Sequence, residues 1–289
     1  MSLSASSIKL LTPHAALLVR KGSEKCLVIS DLHIGWEVAL SEEGVHVPSQ
    51  TQKIIEKILS IMSSEKPDFV LLLGDIKHTI ARIELEEWQD VPFFFEEISK
   101  NVAEVQVLLG NHDGNLEALL PDNVKILPTR GTVIGEVGFF HGHTWPDVSL
   151  LRCETLVIGH VHPVVGFRDP FGFRITRQVW VKAPCNRNHL ARFVLRHYGK
   201  KAKEEKKIEE ILRSEFNLEA RTKNLIIMPS FNDFLGGQTI NTPSFSRQKK
   251  FEEFIGPVLR SGSVDLGKAE IILLDGTFLG NLSQLRTLS

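Results

Sequence analysis

The sequence predicts an α/β fold, and three features carry that prediction. Five short runs are almost continuously apolar: Cys26-Leu-Val-Ile-Ser30, Phe69-Val-Leu-Leu-Leu73, Val105-Gln-Val-Leu-Leu109, Val137-Gly-Phe-Phe140 and Thr155-Leu-Val-Ile158. Runs of that length without polar alternation are strands covered on both faces. Between several of them, apolar residues recur at helical spacing instead. Each run gives way to glycine, aspartate or histidine, so polar side chains emerge at strand ends, where α/β sheets carry their sites.

The elements follow in order. Residues 11–19 and 25–30 are expected to form two strands around a hairpin turn at Lys21-Gly-Ser-Glu-Lys25. Pro48-Ser-Gln-Thr-Gln52 opens a helix whose buried face is Ile54, Ile55, Ile58, Leu59 and Met62. The 69–73 strand leads to a second helix over 84–99, rich in acids and phenylalanine. Strands at 105–109, 137–140 and 155–158 come next, then a hairpin between 163 and 183 around Asp169-Pro-Phe-Gly172. Past residue 183 the pattern thins to a mixed-charge run at Lys200–Glu210, a strand at Leu225–Met228, a helix over 249–260 and a last strand at Glu270–Leu274. No internal repeat or linker interrupts the chain. Residues 1–289 therefore read as one domain, with a C-terminal extension after about residue 242.

The chemistry sits in five segments within 132 residues: Asp31-Leu-His33, Gly74-Asp75, Gly110-Asn-His-Asp113, His141-Gly-His143 and Gly159-His-Val-His162. A lone Gly-Asn-His-Asp is an ordinary loop, and a lone Gly-His-x-His is a weak metal signal. Together they supply carboxylate, amide oxygen and imidazole in numbers that fit two metal ions. Two divalent ions roughly 3.5–4 Å apart can share a water, bring its pKa towards neutrality and neutralise charge on the oxygens around the atom it attacks. Glycines before Asp75, Asn111 and His160 let the backbone turn sharply and approach closely.

The set resembles the calcineurin-like metallophosphoesterases, with their pattern Asp-x-His, Gly-Asp, Gly-Asn-His-Asp/Glu, His and Gly-His-x-His. Every position of it is filled between residues 31 and 162. The resemblance implies two stacked mixed β-sheets flanked by helices, a four-layer α/β/β/α sandwich. It also implies that Asp31, His33, Asp75 and His162 hold one ion, and that Asp75, Asn111, His141 and His160 hold the other. Asp75 would bridge the pair, and a hydroxide between the ions would be the nucleophile. His141 is taken over His143 on the family's His-Gly pattern, leaving His143 as a neighbour of the site or an exposed bystander. His112 becomes the general acid or charge stabiliser at the leaving oxygen, with Asp113 orienting its imidazole. Lys77 and His78 either reach a phosphate or leaving group or cap the following helix.

A narrower resemblance rests on Asp31-Leu-His-Ile-Gly-Trp-Glu37, Gly74-Asp-Ile-Lys-His78, Ile226-Ile-Met-Pro-Ser-Phe-Asn232 and Gly236-Gly237. These look like a prokaryotic branch that includes ligase-associated DNA-damage-response phosphoesterases, over about residues 10–241. Residues 185–222 read as an extension relative to compact members. The implied activity is a phosphodiesterase or nuclease acting on nucleic acid, DNA or RNA, or on nucleotides. The alternatives are a phosphomonoesterase for a small metabolite and a non-catalytic metal-bound scaffold. The chain lacks the protein-phosphatase motif Arg-Gly-x-x-Asp between Gly-Asp and Gly-Asn-His. Mixed donors suit Mn²⁺, Fe²⁺ or Zn²⁺, and Mn²⁺ is the first choice because prokaryotic relatives are commonly Mn-dependent.

Composition sets the remaining bounds. An apolar content of 42% supports a sizeable core, and a formal net charge of -1 argues against a constitutive nucleic-acid coat. It leaves room for a nuclease, since metals and a local patch can hold a phosphate backbone. Cys26, Cys153 and Cys185 are scattered and odd in number, so no disulfide framework is expected and a reducing, cytoplasmic location is. Met1–Ser7 lacks the basic and apolar regions of a secretory leader, and no stretch approaches the ~20 apolar residues of a membrane span. Trp36 and Trp145 flank site loops, either packing over them or stacking on a base. His14, His46, His189 and His197 read as ordinary surface or core residues. The Lys200–Glu210 run is most simply a solvated helix face; alternatively its lysines meet a phosphate backbone together with Arg192, Arg196 and His197.

Overall fold

The computed structural model describes residues 7–168, 171–242 and 256–287. The first half of the chain contains β1 (Ser7–Leu10), β2 (Ala16–Lys21), β3 (Glu24–Ile29), α1 (Trp36–Glu42), α2 (Thr51–Glu65), β4 (Phe69–Leu73), α3 (Leu85–Ser99), β5 (Glu104–Leu108) and β6 (Val124–Leu127). These six strands form one sheet in chain order, with β1, β2 and β3 antiparallel and β3 to β6 parallel.

The second half adds β7 (Thr132–Ile134), β8 (Val137–Phe139), β9 (Thr155–Ile158), β10 (Pro163–Arg168), β11 (Arg174–Pro184), α4 (Arg187–His197), α5 (Glu205–Phe216), β12 (Asn224–Ile227), β13 (Gln238–Thr239), α6 (Gly256–Arg260), β14 (Glu270–Leu273), β15 (Phe278–Asn281) and α7 (Leu282–Thr287). They build a second mixed sheet in the order β13-β10-β11-β12-β9-β8-β7, with β14 and β15 attached beside β11. Parallel pairing of β8, β9 and β12 puts their carboxyl ends on one side.

Three apolar layers hold the four structural layers together. Between the sheets, Leu17, Val28, Leu71 and Leu73 meet Phe139, Val157, Trp180 and Ile226. The other face of the first sheet packs Leu27, Val70, Leu72 and Val107 on Ile55 and Ile58 of α2 and on Phe94 and Ile98 of α3. The outer face of the second sheet packs Ile158, Val181 and Leu225 on Leu190 and Val194 of α4 and on Ile208 and Leu212 of α5. Every residue of β4 is buried because it faces both layers. Leu71→Ala, at the centre of the inter-sheet layer, should therefore cost about 2–5 kcal/mol of stability. Denaturant unfolding of the two proteins side by side measures that loss.

The structure amends the expected elements in places. The strand expected over 11–19 begins only at Ala16, because the chain turns at Leu11–Ala15 after a separate strand, β1, at Ser7–Leu10. Residues 270–274 are not the last strand: β15 follows and pairs back on β14. The short strands β6, β7 and β13 are not legible in the sequence, because two to four residues carry no readable period. Residues 169–170 of the expected hairpin turn, and 249–255 of the expected late helix, lie outside the described residues; β10 pairs antiparallel with β11, and α6 covers 256–260. Among the described residues no helix is long and apolar enough to cross a membrane.

Candidate metal centre

The loops after β3, β4, β5, β8 and β9 carry the five segments, and all leave the carboxyl ends of parallel strands. Backbone hydrogen bonds lock them to one another. Asp31 N–H donates to the Gly74 carbonyl at 3.1 Å, and His33 N–H to the Asp75 carbonyl at 2.9 Å. His160 N–H, from the other sheet, donates to both Asp31 carboxylate oxygens at 3.1 Å. Side chains reach inward because the backbone is wound unusually tightly. Asp31, His33, Asp75, His160 and His162 all have φ between 45° and 67°, five of the eight such non-glycine residues among those described. Each such conformation costs about 1–3 kcal/mol and persists only where surrounding contacts over-determine it. The glycines matter for a related reason: a methyl group at Gly110 would run into Asp75, and one at Gly159 into Ser30 and Asp31.

Three clusters result, one of them formed by His33, His78 and His112. In the other two, ligand atoms of Asp31, His33, Asp75 and His162 lie within 4.8 Å of one another, and so do those of Asp75, His141 and His160. Asp75 belongs to both: its Oδ2 lies 3.5 Å from His33 Nε2 and 3.2 Å from His141 Nε2. His162 Nε2 approaches Asp31 Oδ1 at 3.1 Å. His141 Nδ1 sits 2.8 Å from the Leu73 carbonyl, which can only accept, so that nitrogen carries the proton and Nε2 faces the cluster. Asn111 contributes an Oδ1 that is buried without a hydrogen-bond partner, as are Nε2 of His33, His141 and His162. Buried polar atoms are normally satisfied. Convergent unsatisfied lone pairs, carboxylate, amide and imidazole together, fit a divalent cation.

The electrostatics agree. Burial lowers His33 and His160 to about 3 and His143 to about 4, so all three are neutral imidazoles near pH 7. Burial would raise the Asp31 carboxyl, but His162 and His141 hold it below the ordinary carboxylate range. Asp75 likewise lies well below that range, because His141 and His33 outweigh its burial. Burial would lower His141, yet Asp75 and Asp31 raise it to about 10, a measure of how strongly these carboxylates demand positive charge. The sign for stability follows. Groups held below their unfolded values bind fewer protons folded than unfolded, so their contribution is lost as pH falls. His33, His143, His160, Asp31 and Asp75 act in that sense, and His141 in the opposite one. Melting temperature in chelator is expected to fall steadily from about pH 6.5 towards pH 4, followed by calorimetry across a buffer series.

The remaining expectations fare differently. His112 stands among the cluster residues, its ring centroid 4.7 Å from that of His33. Its Nδ1 meets the backbone carbonyl of His78, leaving Nε2 free to face the pocket. Asp113 does not orient that imidazole, contrary to expectation. Its Oδ1 accepts from Ile76 N–H at 2.7 Å and its Oδ2 from Gly110 N–H at 2.8 Å, so it clamps the β4 and β5 loops together. Lys77 does not reach towards a phosphate: it is fully buried, and its ammonium donates to the carbonyls of Thr79 and Arg82. His78 neither caps a helix nor stands alone, as its Nδ1 lies 3.3 Å from His33 Nδ1. His143 packs against His141 and His160, ring centroids 5.3 Å and 6.1 Å away. Trp36 stacks on Phe234 at 5.6 Å, and Trp145 on Phe193 at 6.0 Å.

Further residues position the site. Ser230 Oγ donates to the Asp31 carbonyl at 2.8 Å, and Asn232 Nδ2 to the Leu32 carbonyl at 3.0 Å, tying the loop after β12 to the first ligand loop. The signal was present in Met228-Pro-Ser-Phe-Asn232, another apolar run closing on small polar residues. Glu87, fully buried on α3, accepts from His78 and Thr79 N–H at 3.0 and 2.7 Å. A pocket of about 430 Å³ opens over the centre, walled by His33, Asp75, Asn111, His112, His160 and His162 and rimmed by Ile80, Val161 and Gly236–Gln238.

An α/β/β/α sandwich presenting such donors beneath an open pocket defines a class, the metal-dependent hydrolases. The narrower assignment comes from sequence. A family model of the calcineurin-like phosphoesterases matches residues 25–199, and the chain belongs to that family, whose members hydrolyse phosphate esters. No curated protein sequence matches the chain. Among solved structures, it is similar to the nuclease MPE of Pseudomonas putida at 16% identity and a TM-score of 0.50, over 94% of this chain and 98% of that one. It is also similar to YfcE, a phosphoesterase from E. coli, at 18% identity and a TM-score of 0.32, over 50% of this chain and 73% of that one. At such identity the MPE likeness is one of fold.

Proposed function

We propose that this chain is a two-metal phosphodiesterase acting on nucleic acid or nucleotides. The observation that carries the reading is the pair of His/Asp clusters sharing Asp75. In this reading Asp31, His33, Asp75 and His162 hold one ion, and Asp75, Asn111, His141 and His160 the other, with Mn²⁺ preferred over Fe²⁺ and Zn²⁺. Such ions supply an acidified water and charge neutralisation at the phosphoryl oxygens. The protein's own part is positional. Left-handed backbone at five ligands and the His160–Asp31 and His33–Asp75 hydrogen bonds hold the donors in place before substrate arrives. His112, with Nδ1 engaged at the His78 carbonyl, has Nε2 available to protonate the leaving oxygen.

The choice of a diester follows from what lines the pocket. No lysine or arginine is among its lining residues, and Lys77 is turned away. A dianionic monoester would lack the extra cation it needs, whereas a monoanionic diester does not need one. The nuclease activity of the similar Pseudomonas putida protein supports a nucleic-acid substrate. The test is metal-stripped protein with Mn²⁺, Mg²⁺ and Zn²⁺ restored separately, assayed on a chromogenic phosphodiester and its monoester. Metal-dependent diester turnover is the expected result. Preference for the monoester would move the assignment to a phosphatase, and no turnover with two ions bound would point to a scaffold.

A further inference from the structure

The pocket over the metal centre offers no lysine or arginine to hold a polyanion, so affinity for a long substrate has to come from elsewhere on the surface. The cations that can supply it are gathered on α4 and the loop behind it. Leu190, Ala191, Val194 and Leu195 turn inward from α4, which leaves Arg192 and Arg196, one turn apart, exposed on its outer face. There a second pocket of about 290 Å³ is lined by Arg192, Phe193, Arg196, Lys200, Lys201 and Lys203, with Ala202 completing it. No acidic residue lines it. Lys200 pairs with Glu215 of α5, while Arg192, Arg196, Lys201 and Lys203 make no ion pair among the described residues. Four unneutralised cations around one concavity form a local patch on a chain whose net charge is -1.

The patch is joined to the metal centre. Phe193 stacks almost flat on Trp145, centroids 6.0 Å apart at an interplanar angle of 7°. Trp145 stands four residues beyond His141, on the same loop. With four residues at ~3.6 Å each, the 6.0 Å ring separation and the reach of the side chains, that connection bounds the separation of patch and centre at roughly 30 Å. With one phosphate per ~3.4 Å of each duplex strand, this is at most about nine nucleotides.

We propose that the pocket on α4 is a second phosphate-binding subsite, which grips the backbone of a nucleic-acid strand several nucleotides from the bond cleaved at the metal centre. The inference rests on the nucleic-acid reading of that centre. Remote contacts of this kind contribute binding that a truncated substrate forfeits. They release counterions, so their signature is salt dependence: log affinity falls by ~0.9 per phosphate neutralised in duplex and ~0.7 in single strands for each tenfold rise in salt.

Two variants test it, Arg192→Gln with Arg196→Gln and Lys201→Gln with Lys203→Gln, each compared with wild type in the metal-loaded enzyme. The substrates are a chromogenic phosphodiester, a dinucleotide and a labelled oligonucleotide of about 20 nucleotides. Both variants should keep wild-type melting temperatures and wild-type rates on the two small substrates. On the oligonucleotide, KM should rise about tenfold or more at low salt, and the salt slope should shrink by ~1.4–1.8 as two contacts are lost. Oligonucleotide kinetics and salt slopes equal to wild type in both variants would overturn the subsite while leaving the nuclease reading intact. A wild-type enzyme that cleaves the chromogenic diester but no oligonucleotide would instead overturn the nucleic-acid reading, and the subsite with it.

Discussion

Asp75→Asn is expected to release both ions and to bring the hydrolytic rate down roughly a thousandfold or more. Several kcal/mol of charge stabilisation depend on the metals, and each ~1.36 kcal/mol is tenfold in rate. Among the described residues Asp75 alone joins the Asp31 cluster to the His141 cluster. Its Oδ2 lies between His33 Nε2 at 3.5 Å and His141 Nε2 at 3.2 Å, while Oδ1 accepts the His112 N–H at 2.8 Å. Asparagine keeps the size and can keep the His112 contact by turning its oxygen that way. It then puts an amide NH₂ where Oδ2 stood, a donor replacing an acceptor, and removes a buried negative charge. Burial lowers the His141 pKa and Asp75 raises it, so the substitution also removes the carboxylate charge that His141 Nε2 faces at 3.2 Å. Metal analysis by plasma mass spectrometry is the direct check. Two ions per chain in the variant, together with a wild-type rate, would show that Asp75 does not bridge.

His112→Ala is expected to leave both ions in place and to slow cleavage by about 10²–10⁴-fold, the range for a lost general acid. Its ring belongs to neither Asp75 cluster, though it stands 4.7 Å from that of His33. The leaving group decides how much the loss matters. A nitrophenolate departs without a proton, so the deficit on a chromogenic diester should be much smaller than on a dinucleotide, whose sugar alkoxide needs one. Rates on both substrates beside metal content separate the possibilities. An equal loss on the two diesters would argue for charge stabilisation at the phosphoryl group, and a loss of metal would make His112 part of the ion-binding shell.

Much of this site was legible in the primary structure because its parts are local. A buried strand declares itself by an unbroken apolar run, and a strand end by the glycine or acid that follows. Each of the five segments therefore announced its own position, and helices α2 and α3 were readable from their 3.6-residue period. The family pattern then grouped donors that local rules cannot group.

Some assignments were not legible, and they share a cause. Asp113 follows His112 in the chain and seemed to be its partner, yet its carboxylate turns to Ile76 and Gly110 N–H while the His78 carbonyl takes the imidazole. Adjacency in sequence says nothing of which way two consecutive side chains point once a loop leaves regular structure. Lys77 read either as a phosphate contact or as a cap of the following helix, but the chain buries it against the Thr79 and Arg82 carbonyls. The lysines of 200–210 read either as a solvated face or, with Arg192 and Arg196, as a phosphate contact, and only the packing of α4 gathers Arg192, Arg196, Lys201 and Lys203 around one pocket.

The amino-acid sequence by itself determined the α/β class, the strand-end positions of the donors and the family. Tertiary structure alone decided that Asp113 clamps two loops instead of holding His112, that Ser230 and Asn232 brace the loop after β3 from about 200 residues away, and which cations meet on one face. The physical reason is range: periodicity and turn chemistry are written within a few residues, whereas a site is assembled by sheet pairing and packing between segments whose separation along the chain carries no geometric information.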